Sequence, residues 1–215
     1  MIEKNIMKEI WEWIYCIIIA IVIAILVKYF LCTPTVVQMD SMYPTLKQGD
    51  RLLLNRTVRT FKKEYKRGDI ITFEAPTKEK YYDNEEVDIN NPIAKYDDKT
   101  GNNLWKKFTY DVLEIGKRNY IKRVIGLPGE HVQIIDGYVY INGEIYNEDY
   151  LDDSVLTTIT GKFYDIVVPE NSLFVMGDHR SVSLDSRSFG GIPYSKIESR
   201  VAFRFWPINK FGKVK

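Results

Sequence analysis

"HVQIIDGYVYINGEIY", residues His131–Tyr146, decides the fold class. Its apolar residues come in short runs at a period close to two, the spacing of strands with one buried face. The runs are cut by Asp136-Gly137 and Asn142-Gly143, dipeptides that accept the positive φ angles of a two-residue hairpin turn. The same rhythm continues outward. "RLLLNR" follows Gly49-Asp50, "DIITFEA" follows Gly68 and ends at Pro76, "NSLFVMGD" lies between turn residues, and "RVAFRFWP" stops at Pro207. Many short strands with regular turns predict a mainly β domain.

One stretch has a different character. "IWEWIYCIIIAIVIAILVKYFL", Ile10–Leu31, is apolar nearly throughout. As a helix it would extend about 33 Å, close to the hydrocarbon thickness of a bilayer. Glu12 and Lys28 interrupt it, and the uncharged centre from Trp13 to Val27 covers only about 22 Å. Lys28 is placed to snorkel to one interface, and Trp11, Trp13, Tyr15 and Tyr29 supply aromatic belts. A cleaved signal would want a net-positive start, but Lys4 and Lys8 are balanced by Glu3 and Glu9, and no A-x-A pattern follows. A core helix would show a polar face, and Ile14–Val27 has none. The stretch reads as a retained membrane anchor at 10–31 behind a cytoplasmic arm at 1–9. The short arm and the large remainder, 32–215, favour the N-terminus inside and the bulk outside.

Composition narrows the function. Thirty Lys plus Arg face 29 Asp plus Glu, so the basic excess of a nucleic-acid binder is missing. Cys16 and Cys32 both belong to the N-terminal apolar region, which excludes a disulfide framework or a Cys-rich metal site. Thr77–Lys107 breaks the strand rhythm with "DNEEVDINNPIAKYDDKTGNN" and reads as a surface insertion. Its acidic runs, Asp83–Asp88 and Asp97-Asp98, lack the calcium-loop spacing with its glycine and terminal glutamate. Residues 131–176 are expected to form a β-rich cap subdomain.

"VVQMDSMYPTLKQGD", Val36–Asp50, raises a question of chemistry. If Ser41 is a nucleophile, something must take its proton, and the chain has only two histidines, His131 and His179. A lysine amine can serve if it is neutral. A free amine has a pKa of about 10.4, and burial lowers it. Such a base belongs inside an apolar strand. Lys122, in "NYIKRVIGLPGE", meets that description: as a strand, Tyr120 and Val124 flank it on one face. Lys62, Lys63, Lys78, Lys106 and Lys107 lie in polar company. Spacing alone leaves open a lysine that snorkels to water.

"DSMYPTL" (Asp40–Leu46), "YIKRVIGLPGE" (Tyr120–Glu130) and "GDHRSVSLDSRSFG" (Gly177–Gly190), in this order behind an N-terminal anchor, resemble the boxes of the type I signal peptidases. The resemblance spans nearly the whole chain except Thr77–Lys107 and is nearer to the Gram-positive members. It implies a fold of coiled β-sheets with one transmembrane helix, and a serine endopeptidase with a Ser/Lys dyad. Ser41 matches the nucleophile and Lys122 the general base. Ser183 matches a serine whose hydroxyl orients the amine. Asp185 and Arg187 match a supporting charged pair, Asp178 and Arg180 match residues that hold that loop, and Tyr120 matches a ring packed beside the lysine. His179 and Val182 stand where the family usually shows asparagine. Met39 stands where some relatives place a serine donor to the oxyanion; the Ser41 N–H remains a candidate donor.

The resemblance further implies signal peptides of exported preproteins as substrates, bound extended at a sheet edge near Thr35–Met39 and the Lys122 strand. The expected partners are these peptides and the lipid bilayer, with no nucleic acid, no metal, no cofactor and a monomeric chain. Phe203, Phe205 and Trp206 either seat the domain on lipid or fill a buried C-terminal strand. The competing reading is a non-catalytic signal-peptidase-like chaperone for pilus or surface-protein assembly. Retention of Ser41, Lys122 and Ser183 argues against it.

Overall fold

The computed structural model describes residues 2–61, 64–82 and 84–214. Lys62, Lys63 and Asp83 lie outside the described residues, as do the side chains of Glu3 and Lys4. Helix α1 spans Ile2–Phe30, so it takes in most of the 1–9 arm as well as the apolar stretch. Its segment Met7–Phe30 is long and apolar enough to cross a membrane, and its apolar side chains are largely exposed. The last carbonyls of a helix need outside donors. Here the body of the protein supplies them. Arg59 Nη2 donates to Tyr29 O at 2.9 Å, Thr60 Oγ1 to Phe30 O at 3.2 Å, and the Arg56 N–H to Leu31 O at 2.9 Å. Lys28 also contacts the β domain. Its amine lies 3.3 Å from the Glu114 carboxylate, which also pairs with Arg56.

The chain then turns directly into strand β1, Cys32–Val36, followed by β2, Arg51–Asn55, and a single helical turn α2, Thr57–Thr60. Next come β3, Ile70–Glu74, and β4, Asn119–Gly126. The hairpin region gives β5, His131–Ile135, β6, Tyr138–Ile141, and β7, Glu144–Ile145. Asp136 and Gly137 have φ of 51° and 85°, and Asn142 and Gly143 have 53° and 83°, as the dipeptides require. Then follow β8, Asp165–Val167, β9, Ser172–Met176, β10, Ile192–Pro193, and the long β11, Ile197–Trp206.

The strands form two antiparallel sheets. The larger has the order β1-β2-β11-β3-β4-β9-β10 and the smaller β7-β6-β5-β8. The small sheet covers the first part of the expected 131–176 subdomain, but β9 returns to the large sheet beside β4. All five residues of "SLFVM" are buried, so this strand needs cover on both faces. β11 is likewise interior to its sheet, paired with both β2 and β3, although Trp206 at its end is exposed.

The 77–107 segment lies on the surface yet plugs into the domain. Ala94 is buried among Phe73, Val124, Phe189 and Ile192, and Tyr96 packs against that group. The Ala94 N–H donates to Gly191 O at 2.8 Å. Just beyond, Tyr110 OH donates to the buried Glu74 carboxylate at 2.7 Å. Burial raises the Glu74 pKa, but hydrogen bonds from Tyr110 and Lys196 outweigh it and hold the group below the usual carboxylate range.

Buried arginines tie the turns to the sheets. Arg123 on β4 grips Asp178 through Nε at 2.9 Å and Nη2 at 2.7 Å, with both side chains out of water. Arg123→Ala leaves that carboxylate buried without its guanidinium, and should cost about 3–5 kcal/mol in chemical denaturation of the detergent-solubilised chain. Trimming 80–103 should lower the unfolding midpoint, because it removes Ala94 and Tyr96 from the core. Replacing only 97–102 with a short glycine linker should leave the midpoint unchanged.

Candidate active site

β1 runs into a turn that carries Ser41, and packing fixes that turn from below. Met42 and Leu46 are fully buried in the cluster that holds Val37, Leu52 and Leu54. The Leu46 N–H donates to Met42 O at 2.9 Å, and the Val37 N–H to Asp50 O at 2.9 Å. From the other side, the His179 N–H donates to Ser41 O at 3.1 Å. The turn between β9 and α3 (α3, Ser186–Phe189) approaches so closely that a Cβ on Gly177 would clash with Ser41 O and Ser183 Oγ. Only glycine fits at this crossing.

Lys122 reaches Ser41 from β4. Its Nζ lies 2.7 Å from Ser41 Oγ, and the side chain is 1% exposed. Strand alternation sets Tyr120 and Val124 on either side of it, and the register sets Ile71 of β3 directly opposite. The Tyr120 ring centroid is 5.4 Å from Nζ. The amine pKa falls to about 8. Burial is the main cause; the carboxylates of Asp185 and Asp178 pull the other way, and Arg187 adds to the lowering.

Those two carboxylates are each neutralised. Asp185 is fully buried and accepts from Arg187 Nε and Nη2, both at 2.8 Å, and from the Gly177 N–H at 3.0 Å. Burial would raise its pKa, but these donors hold it below the ordinary value. Asp178 is taken by Arg123. Arg180 donates to Gly177 O at 3.1 Å, Thr157 Oγ1 at 2.6 Å and Glu148 Oε2 at 2.6 Å, which stitches the turn to the segment after β7. Arg187 Nη1 also donates to Thr158 O at 2.7 Å.

Thus Ser41, Lys122, Tyr120, Asp178, Arg180, Asp185 and Arg187 converge. Ser183 is buried beside them, but among the described residues it makes no hydrogen bond to the Lys122 amine; its hydroxyl fills the space that a Cβ on Gly177 would need. His179 is turned away from Ser41 Oγ: its Nδ1 lies 3.2 Å from Asp40 O and its ring lies against Tyr43. His131 pairs with Asp165 at 2.6 Å in the small sheet. Val182 is exposed. Arg123, Gly177 and Glu148 were not singled out from the sequence as site residues. Arg123 sits beside Lys122 on the opposite face of the strand, a legible signal, whereas Glu148 is 32 residues from Arg180 and shows none.

A groove of about 950 Å³ leads to Ser41. Thr33, Thr35 and Val37 of the first strand and its extension form one wall, and Asn119, Tyr120 and Ile121 of β4 form the other. β1 is an edge strand, so its outer backbone groups are free to pair with an extended chain. Met39 lines the groove with an exposed thioether that offers no donor. Among the described residues, no three His, Cys, Asp or Glu side chains converge to hold a metal ion.

Comparison with known proteins gives the family. The family described as signal peptidase, peptidase S26, matches residues 10–206. A signal peptidase I of Bacillus licheniformis is 35% identical over 98% of this chain and 97% of its own length. Signal peptidase I T of Bacillus subtilis (strain 168) is 34% identical over 95% of this chain and 89% of its own. Signal peptidase IB of Staphylococcus aureus (strain COL) is 33% identical over 95% and 93%. A solved signal peptidase I from Enterococcus faecalis V583 aligns with 64% of this chain and 97% of its own at 26% identity, with a TM-score of 0.39. A match that runs from the apolar helix through the last strand, with relatives a third identical along nearly their whole length, means that the chain belongs to the signal peptidase family, peptidase S26.

Proposed function

We propose that this chain is a membrane-anchored serine endopeptidase that cuts N-terminal signal peptides from exported preproteins with a Ser41/Lys122 dyad. The observation that carries the proposal is a desolvated amine 2.7 Å from a hydroxyl at the head of a peptide-sized groove. The names of the relatives, signal peptidases I, supply the substrate class.

The chemistry is acyl transfer to water. Ser41 Oγ attacks the scissile carbonyl carbon while Lys122 Nζ takes the hydroxyl proton. The oxyanion forms within reach of the Ser41 N–H, which donates to no acceptor among the described residues. Collapse expels the new amine, which leaves with the proton held by Lys122, and an ester on Ser41 remains. Lys122 then takes a proton from water as it attacks the ester, and Ser41 recovers its hydroxyl. Ser183 is assigned the orienting of the amine once substrate is bound. Asp185–Arg187 and Asp178–Arg123 hold the surrounding turns and keep two carboxylates from recharging the amine. Helix α1 spans the bilayer with its N-terminus in the cytoplasm, which sets the groove at the outer face where a preprotein's cleavage site emerges.

Incubation of the purified chain with a preprotein in detergent, with the cut mapped by mass spectrometry, should yield one cleavage after the signal peptide; an intact preprotein would refute the reading. Ser41→Ala and Lys122→Met should each lower cleavage by about 10³-fold or more while the protein stays folded. In the wild type, kcat/KM should rise with pH and level off above about 8, because only the neutral amine accepts a proton. The same shift sets the stability. The folded amine binds fewer protons than the unfolded one between pH about 8 and 10.5, so stability rises with pH across that window. Lys122→Met should accordingly gain about 3 kcal/mol at neutral pH, read by denaturation at pH 7 and pH 10.

A further inference from the structure

The groove is longer than the chemistry at Ser41 requires. From Met39 back to Thr33 its first wall covers about 20 Å at the rise of a strand. At the far end it meets the last turns of α1 at Ala24, Val27 and Lys28. Register sets Leu54 of β2 opposite Thr33, and alternation carries the same face on to Arg56. Arg56 is 1% exposed and lines the groove. Glu114 takes only its Nη2. Arg56 Nε and Nη1, and Thr33 Oγ1, are buried with no hydrogen-bond partner among the described residues. Buried donors left unmade are costly, so three of them together at one end of a groove point to an acceptor that arrives from outside.

We propose that Arg56 and Thr33 form an upstream subsite that takes an acceptor oxygen of the substrate peptide, about six residues before the scissile bond. The inference rests on the peptidase reading above. The direction follows from α1: a substrate whose apolar segment lies in the bilayer enters from the helix end of the groove, so residues before the cut run past Arg56 and Thr33 toward Ser41. The donors suit a backbone carbonyl or a polar side chain in an extended segment. A phospholipid phosphate offers similar oxygens, but the continuity of the groove from Arg56 to Ser41 favours the peptide.

The test uses the full chain in neutral detergent and two peptides identical around the cut. One begins four residues before it, the other eight. The wild type should prefer the longer peptide by about tenfold in kcat/KM, chiefly through KM. Thr33→Val, which keeps the shape, and Arg56→Gln should reduce that preference to about twofold and leave turnover of the short peptide unchanged. If Arg56→Gln does not fold, Thr33→Val carries the test. An undiminished length preference in Thr33→Val, or equal losses on both peptides, would overturn the subsite. So would a phosphatidylglycerol-vesicle stimulation of the wild type that Arg56→Gln abolishes with the length preference intact, which would assign the site to lipid. A wild type that cuts neither peptide would instead refute the peptidase reading itself.

Discussion

The site depends on keeping water away from one amine. Lys122 sits between Tyr120 and Val124, faces Ile71 and is 1% exposed. Neither histidine faces Ser41 Oγ: His179 bonds the Asp40 carbonyl and His131 belongs to the other sheet. The apolar setting is what lowers the amine's affinity for a proton; no cation supplies the main part of the effect. A basic group near the surface would be charged at neutral pH and useless to a hydroxyl. The burial is unfavourable to folding, and the strand pairing of β3, β4 and β9 compensates for it.

Much of the surrounding charge serves this one requirement. Two carboxylates near a lysine would ordinarily restore its proton. Here each is saturated by its own arginine, Asp185 by Arg187 and Asp178 by Arg123, in two-pronged contacts of 2.7 to 2.9 Å. The same arginines connect turns that are distant in sequence. Arg123 joins β4 to the turn after β9, Arg187 reaches Thr158, and Arg180 reaches Glu148 and Thr157. Gly177 completes the assembly by its missing side chain, which lets the Ser41 and Ser183 segments meet.

What could be read from the sequence was local. The Asp136-Gly137 and Asn142-Gly143 turns, the apolar helix and the alternation that buries Lys122 all depend on neighbours along the chain, and their geometry matches the reading. Features set by distant contacts stayed hidden. Ala94 and Tyr96 lie in a stretch whose polarity suggests a free loop, yet they pack into the core because Pro92–Ala94 runs beside Gly191. The pairing of Lys28 with Glu114 is likewise hidden, since the two are 86 positions apart. The small sheet was legible, but its end was not, since "SLFVM" looks the same whichever sheet takes it. Ser41 and Lys122 were legible as candidates in residue type and order; the 2.7 Å contact between them was not.

The junction below β1 carries one more implication. The backbone oxygens of Tyr29, Phe30 and Leu31 are all taken by donors of the β domain, and Lys28 is tied to Glu114. Between Phe30 and Cys32 there is a single residue and no slack. Helix and β domain are therefore joined by direct contacts, not by a free linker. A bilayer that thickens or thins tilts such a helix to match its apolar length. On the proposed reading of α1 as a membrane anchor, the same tilt would swing the mouth of the groove toward or away from the lipid surface, and membrane mechanics would become an input to which peptides can enter.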